Sequence, residues 1–354
     1  MTETYHEQTP KAGLGLFLVK AALFTALLLA LQVGVSLVFG GQPPPSWLDR
    51  PLNDTLQESP EIVFLGDSSV FSHPPDADDM RPTCVMLGDL LPEYKVRALL
   101  LPGMLPTLDA AILRRLQSEG LHPRYVVICM NHSTLRPYAA GALGRQYVES
   151  RLFLEHDGLL LRSFLRPISI LKGIDSAPRP RDEHLRFLAK ETGVSLKRVR
   201  RVDEAIRTNT AMANHRDFLQ LYFAAHYSKA LHAKHHELKA LQRCAELARA
   251  MGAEPIFYLT PINHELMQDA AGHEMGENVQ RDSRIIQEAL AEGNANVVDL
   301  SVHLPIRHFY ESPLPTTHYD AEGRMQVAEQ LAAEIRRLDA ALETAHGAEP
   351  GPLP

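Results

Sequence analysis

The chain has 354 residues, 45% of them hydrophobic and 22% charged, with a net charge of −7 when histidines are neutral. That length supplies a core for one large domain or two modest ones, and the composition is that of a folded protein. The negative balance excludes wholesale nucleic-acid binding, and three cysteines (Cys84, Cys129, Cys244) without a CxxC pair exclude a disulfide framework.

The first element in chain order is an apolar stretch. Ala21 to Gly40 carries no charge and one strongly polar side chain, Gln32, and Leu14 to Val19 extend it upstream past Lys20. About 20 apolar residues suffice to span a bilayer as a helix. A cleavable signal peptide has a shorter apolar region, of about 7–15 residues, and ends in a small-residue site of the Ala-x-Ala kind, which does not follow here. The expectation is an uncleaved single-pass anchor over 13–40, preceded by a cytoplasmic N-terminus, 1–12. Lys11 and Lys20 flank its start and Arg50 alone lies close beyond its end. This bias orients the body to the exported side. Residues 41–60, with Pro43-Pro44-Pro45, read as a semi-rigid spacer.

Glu61-Ile62-Val63-Phe64, followed by Leu65-Gly66-Asp67-Ser68-Ser69, reads as a buried parallel strand that turns sharply and presents a serine at its carboxyl end, where open α/β sheets bind ligands. Asp67 or Ser69 would cap the following helix as readily as Ser68. Lys95–Leu101 is a second strand, ended by Pro102-Gly103. Thr107 is placed to cap a helix running through Leu116. Arg124–Met130 is a third strand, stopped by Asn131-His132, with Cys129 a small core residue within it. Residues 138–252 break the strand–helix rhythm and read as a helical insertion. Within it lie Leu159–Leu165, read as a core helix, and the basic run Lys197–Arg201, read as a solvated helix face. His232 and His236 have the i, i+4 spacing that can clasp a metal, but the lysines around them favour an exposed helix, and no metal or cofactor is expected. Pro255–Leu259 and Asn296–Leu300 are strands four and five. A last helix starts near Ala321, and 346–354 form a Gly/Pro-rich tail. The expected fold is three-layer α/β/α with a parallel five-stranded sheet over 61–345.

Four segments fall at strand ends or on the last loop: Gly66-Asp67-Ser68, Pro102-Gly103, Met130-Asn131 and Thr317-His318. In this order they resemble the four blocks of SGNH (GDSL-type) hydrolases, over roughly 61–135 and 253–340. The resemblance implies a flavodoxin-like fold and an ester hydrolase or O-acyltransferase. Ser68 would be its nucleophile and His318 its base, with an oxyanion hole from the N–H groups of Ser68 and Gly103 and the amide of Asn131. Two blocks depart from the family. Pro315 stands where an aspartate orients the histidine, so Glu311, Asp320, Asp299 or a backbone carbonyl must serve, and Glu311 is the choice. Cys129 and His132 replace a glycine and an aspartate of the third block.

The layout, with Thr260-Pro261-Ile262-Asn263 after strand four, resembles accessory proteins of envelope-polymer O-acetylation and D-alanylation. That implies an acylated cell-envelope glycan as substrate, a bacterial inner-membrane location with an exported body, and a multi-spanning membrane O-acyltransferase as partner. Two other readings stand beside it: a non-catalytic scaffold or glycan-binding partner of such an acyltransferase, and a phospholipase or lipid thioesterase.

Overall fold

The computed structural model describes residues 11–39, 46–74, 76–135, 154, 181–207, 215–227, 231–310 and 317–347. Five parallel strands form one sheet: β1 (Ile62–Gly66), β2 (Val96–Leu100), β3 (Tyr125–Met130), β4 (Glu254–Leu259) and β5 (Asn296–Asp299). Their spatial order is β2-β1-β3-β4-β5. Each coincides with a short apolar run bounded by Gly, Pro or Asn, and each lies within two residues of its expected place. The described helices are α1 (Lys11–Phe39), α2 (Ser46–Glu58), α3 (Ser68–Phe71), α4 (Thr83–Leu90), α5 (Pro106–Ser118), α6 (Arg181–Thr192), α7 (Leu196–Arg207), α8 (His215–Tyr227), α9 (His236–Ala250), α10 (His264–Ala271), α11 (His273–Ala291) and α12 (Ala321–Gly347).

The sheet is apolar on both faces, so two cores flank it. Val63 and Leu65 of β1 join α2, α5, α9 and α11 on one side. Ile62 and Phe64 join α4 and α12 on the other. All four side chains are fully buried, and each such burial stabilises the fold by roughly 1.5–3 kcal/mol. The expected three-layer α/β architecture with a parallel five-stranded sheet is the one the chain adopts.

Several finer expectations are corrected. Ser46–Glu58, inside the stretch read as a spacer, is helix α2, because Leu48 and Leu52 stand one turn apart and both enter the core. Thr107 does not cap α5: that helix starts at Pro106 with no side-chain cap of its own. Instead the Glu237 carboxylate of α9 accepts hydrogen bonds from Thr107 N (3.0 Å) and Oγ1 (3.3 Å), a cap supplied across the helix pair. Helix α9 is therefore a framework helix packed on α5, not the end of the insertion. The described insertion consists of α6, α7 and α8. It has a small core of its own, in which Val199 and Val202 turn inward while Lys197, Arg198, Arg200 and Arg201 stay exposed. Phe223 and Tyr227 of α8 dock it on α10 and α11. Residues 159–165 lie outside the described residues, and so do 348–354 of the tail.

Helix α1 has 29 residues. Its side chains are described without a break over 17–31, and all of these are exposed. Among the described residues no helix is long and apolar enough to cross a membrane.

Candidate active site

In a doubly wound sheet, ligands bind at the carboxyl ends of the strands where the winding reverses, here between β1 and β3. Leu65 pairs with Ile128, and the register carried forward sets Ser68 level with Asn131. On the other flank Gly66 pairs with Leu100, which brings Pro102-Gly103 to the same rim.

Ser68 opens the short helix α3. The cap is Asp67, whose Oδ1 accepts from Ser69 N at 2.9 Å and Ser69 Oγ at 2.6 Å. Asp67 and Ser69 are thus committed to the turn and buried, whereas the half-buried Ser68 directs its hydroxyl at His318: Oγ to Nε2 is 3.1 Å, across 250 residues of chain. With the ring proton on Nδ1, Ser68 donates and Nε2 accepts, the arrangement a nucleophile and its base require. Tyr310 lies against the His318 ring at 6.2 Å between centroids, and its N–H donates to the His318 carbonyl at 3.2 Å. A bridge between Phe309 and Tyr319 fixes this pair of segments.

Leu101–Met104 is a hydrogen-bonded turn, with Met104 N donating to Leu101 O at 3.1 Å. Pro102 and Gly103 are its central residues and Gly103 has φ +62°, the pattern of a type II turn that favours glycine. Among the described residues, neither Ser68 N nor Gly103 N donates to a backbone carbonyl. Asn131, 5% exposed, turns Oδ1 toward Ser133, accepting from its N at 3.0 Å and its Oγ at 2.8 Å. That fixes the amide and leaves its N–H₂ without a hydrogen-bond partner among the described residues. Three unspent donors beside a serine–histidine pair suit an anionic tetrahedral intermediate.

The other candidates separate cleanly. Asp299 Oδ1 accepts from Ser301 N and Oγ, and its Oδ2 accepts from Gln287. Asp320 caps α12 through Gly323 N at 2.8 Å and pairs with buried His308, at 3.2 Å from Nδ1. Both carboxylates have other work, and neither is bonded to His318. Glu311 lies outside the described residues. His232 and His236 do not share a helical face, because α9 begins only at His236 and His232 Nδ1 accepts from Lys234 N. Thr260 is fully buried and Asn263 caps α10, so both are structural.

Two features escaped the sequence reading. Beneath the Ser68 turn lies a buried polar layer: Cys129 Sγ stands 3.7 Å from Asp67 Oδ1 and 3.5 Å from Ser69 Oγ. Burial pushes the Cys129 thiol well above its ordinary pKa, so it stays neutral there. The second is Arg324, fully buried. It lies three residues before Val327 and seven before Leu331, on an apolar helix face, and a lone charge on such a stripe was the available signal.

No family model and no curated protein matches the chain significantly. Among solved structures it is similar to a Bacteroides fragilis protein described as an acylhydrolase, at 10% identity and a TM-score of 0.38, over 84% of this chain and 99% of that one. It is also similar to an acetylxylan esterase from Geobacillus stearothermophilus, at 11% identity and a TM-score of 0.36, over 77% of this chain and 93% of that one. An α/β hydrolase from a Lake Arreo metagenome aligns at 12% identity and a TM-score of 0.35, over 77% and 93%.

Proposed function

We propose that the chain is a serine esterase or O-acyltransferase of SGNH type. The observation that carries the reading is the 3.1 Å approach of Ser68 Oγ to His318 Nε2 beside three unspent donors. As Oγ attacks an ester carbonyl carbon, its proton passes to Nε2. The carbonyl electron pair moves onto oxygen, where Ser68 N, Gly103 N and the Asn131 amide stabilise it. Collapse expels the alcohol, which takes the proton from His318, and leaves an acyl group on Ser68. Water or a sugar hydroxyl then repeats the sequence with His318 again as base.

The finer reading is an acylated cell-envelope glycan as substrate, with a multi-spanning membrane O-acyltransferase supplying or sharing the acyl group. It rests on the resemblance in layout. The anchor rests on the sequence alone, on the uncharged apolar run of residues 21–40. The exported topology rests on the flanking lysines. A reporter fused at the C-terminus and active only in the cytoplasm would reverse that topology.

Reaction of the full chain with a fluorophosphonate probe tests the chemistry. Labelling that maps to Ser68, and is lost in Ser68→Ala and His318→Gln, is the expected result. An unlabelled wild type, or equal labelling of Ser68→Ala, rejects the catalytic role. The first of those outcomes points to the second reading, a non-catalytic scaffold or glycan-binding partner, which Pro315 in place of the family's aspartate favours.

A further inference from the structure

The buried guanidinium of Arg324 makes four hydrogen bonds, and all go to main-chain carbonyls. Nε donates to Arg81 O at 2.9 Å, Nη1 to Ser72 O and Tyr319 O at 3.0 Å each, and Nη2 to Asp79 O at 2.6 Å. These acceptors belong to three segments. Ser72 ends α3, and its own N–H donates to Ser68 O at 2.9 Å. Asp79 and Arg81 belong to the loop that leads on to α4. Tyr319 directly follows His318. One side chain therefore ties the residue after the base to the far end of the one-turn helix that begins with the nucleophile.

Burying a guanidinium without a carboxylate partner is expensive, and for packing alone an apolar residue of similar volume would serve at least as well. What the guanidinium supplies is direction: a planar fork of five donors meets several carbonyls at fixed angles, which a single ammonium point cannot do. The nearby carboxylates do not compete for it. Asp79 Oδ2 pairs with Arg81 at 2.6 Å, and Asp320 caps α12.

We propose that Arg324 is a positioning residue that holds the His318 segment in register with the Ser68 segment. The proposal rests on the catalytic reading of that pair. Two segments that approach from opposite ends of the chain need a common clamp, because a misplacement of about 1 Å between reacting groups can cost roughly 100-fold in rate.

The test uses the full chain, wild type and Arg324→Lys, with Arg324→Gln as a second variant. Fluorophosphonate labelling against probe concentration separates the maximal inactivation rate from probe affinity. Hydrogen exchange follows segments 68–72 and 317–320, with folded fraction checked by circular dichroism. The expected result is a maximal rate down about tenfold or more at probe affinity held within about twofold, the signature of lost positioning. Both segments exchange faster while β3 and β4 do not change. A folded variant that labels at the wild-type rate overturns the proposal. In the wild type itself, the two segments should open as one unit with the same denaturant dependence, and independent opening overturns the clamp whether or not Ser68 reacts. A wild type that never labels but opens both segments together rejects the catalysis and leaves the clamp standing.

Discussion

Gly66 ends β1 two residues before Ser68, and the reason for it is steric rather than conformational. It does not occupy the left-handed backbone region that Gly103 does. A Cβ at this position would meet Val70 Cγ2 at 2.6 Å, with Leu100 Cδ2 and Phe64 Cε1 each at 3.2 Å. Val70 sits on α3 and is fully buried, so it can retreat only by pushing that helix away from the strand. Gly66→Ala should therefore cost about 1–3 kcal/mol, the range for overpacking a core. Val70→Ala alone removes two methyl groups, about 1.6 kcal/mol at 0.8 each, and with the cavity about 2 kcal/mol or more. In the double variant the atom that the new methyl meets at 2.6 Å is gone, so the cost should lie below the sum by about 1–2 kcal/mol. Urea unfolding of the four proteins, followed by the sole tryptophan, Trp47 on α2, gives the cycle. The same clash displaces Ser68, so fluorophosphonate labelling should fall in Gly66→Ala and recover in the double variant. A Gly66→Ala protein within about 0.5 kcal/mol of wild type, or costs that simply add, would refute the close packing of α3 on the strand end.

Three further outcomes follow from the same geometry. Asn131→Asp keeps Oδ1 as acceptor for Ser133 but replaces the amide donor; labelling should fall about 100- to 1,000-fold with the fold intact, and a loss under about threefold removes Asn131 from the oxyanion hole. Asp109 is fully buried with Oδ1 unpartnered, and burial, with Glu237 and Asp67 nearby, pushes its carboxyl well above the usual range. The folded protein then holds a proton that the unfolded chain has released, so stability falls as pH rises from about 4 toward the folded value, by at most about 1.4 kcal/mol per pH unit. Asp109→Asn should flatten that slope and raise the urea midpoint at pH 7; an unchanged slope refutes it. Burial pushes the Cys84 thiol up to about 12 and those of Cys129 and Cys244 well up, so Ellman's reagent at pH 8 should find no thiol in the native protein and 3 after unfolding.

What the sequence disclosed was what local pattern and chain order encode. Apolar runs bounded by Gly, Pro and Asn marked each strand, and the alternation of strands with helices implied the parallel sheet. Ser68, Gly103, Asn131 and His318 stood out because each follows a strand or lies on the loop before the last helix. Contacts made across the fold were hidden. Nothing near Thr107 announces that Glu237, 130 residues on, will cap its helix. Leu48 and Leu52 are too few to mark a core helix among prolines. Arg324 stands on the apolar face of the last helix, but its partners were hidden, because only the folded loops bring the carbonyls of Ser72, Asp79, Arg81 and Tyr319 around it.

The strand order explains why so scattered a set of residues meets. Adjacent strands lie about 4.8 Å apart, and β2, β1 and β3 are consecutive neighbours in the sheet. Gly103, Ser68 and Asn131 each stand two or three residues beyond the last paired positions of these strands, where Gly66 faces Leu100 and Leu65 faces Ile128. Backbone pairing thus sets the three positions along one rim, and the third donor then depends on the Asn131 side-chain amide. The histidine has no such guarantee. It comes from a loop beyond β5, at the opposite edge of the sheet, and must be carried back to β1. Helix α12 packs its apolar face on the sheet face that carries Ile62 and Phe64 of β1, and the Phe309–Tyr319 bridge and the Arg324 carbonyl contacts fix its entry. Pairing register therefore sets the positions of Ser68, Gly103 and Asn131, while His318 depends on a few buried polar contacts, and substitutions at those contacts should loosen the Ser68–His318 approach before they weaken the sheet.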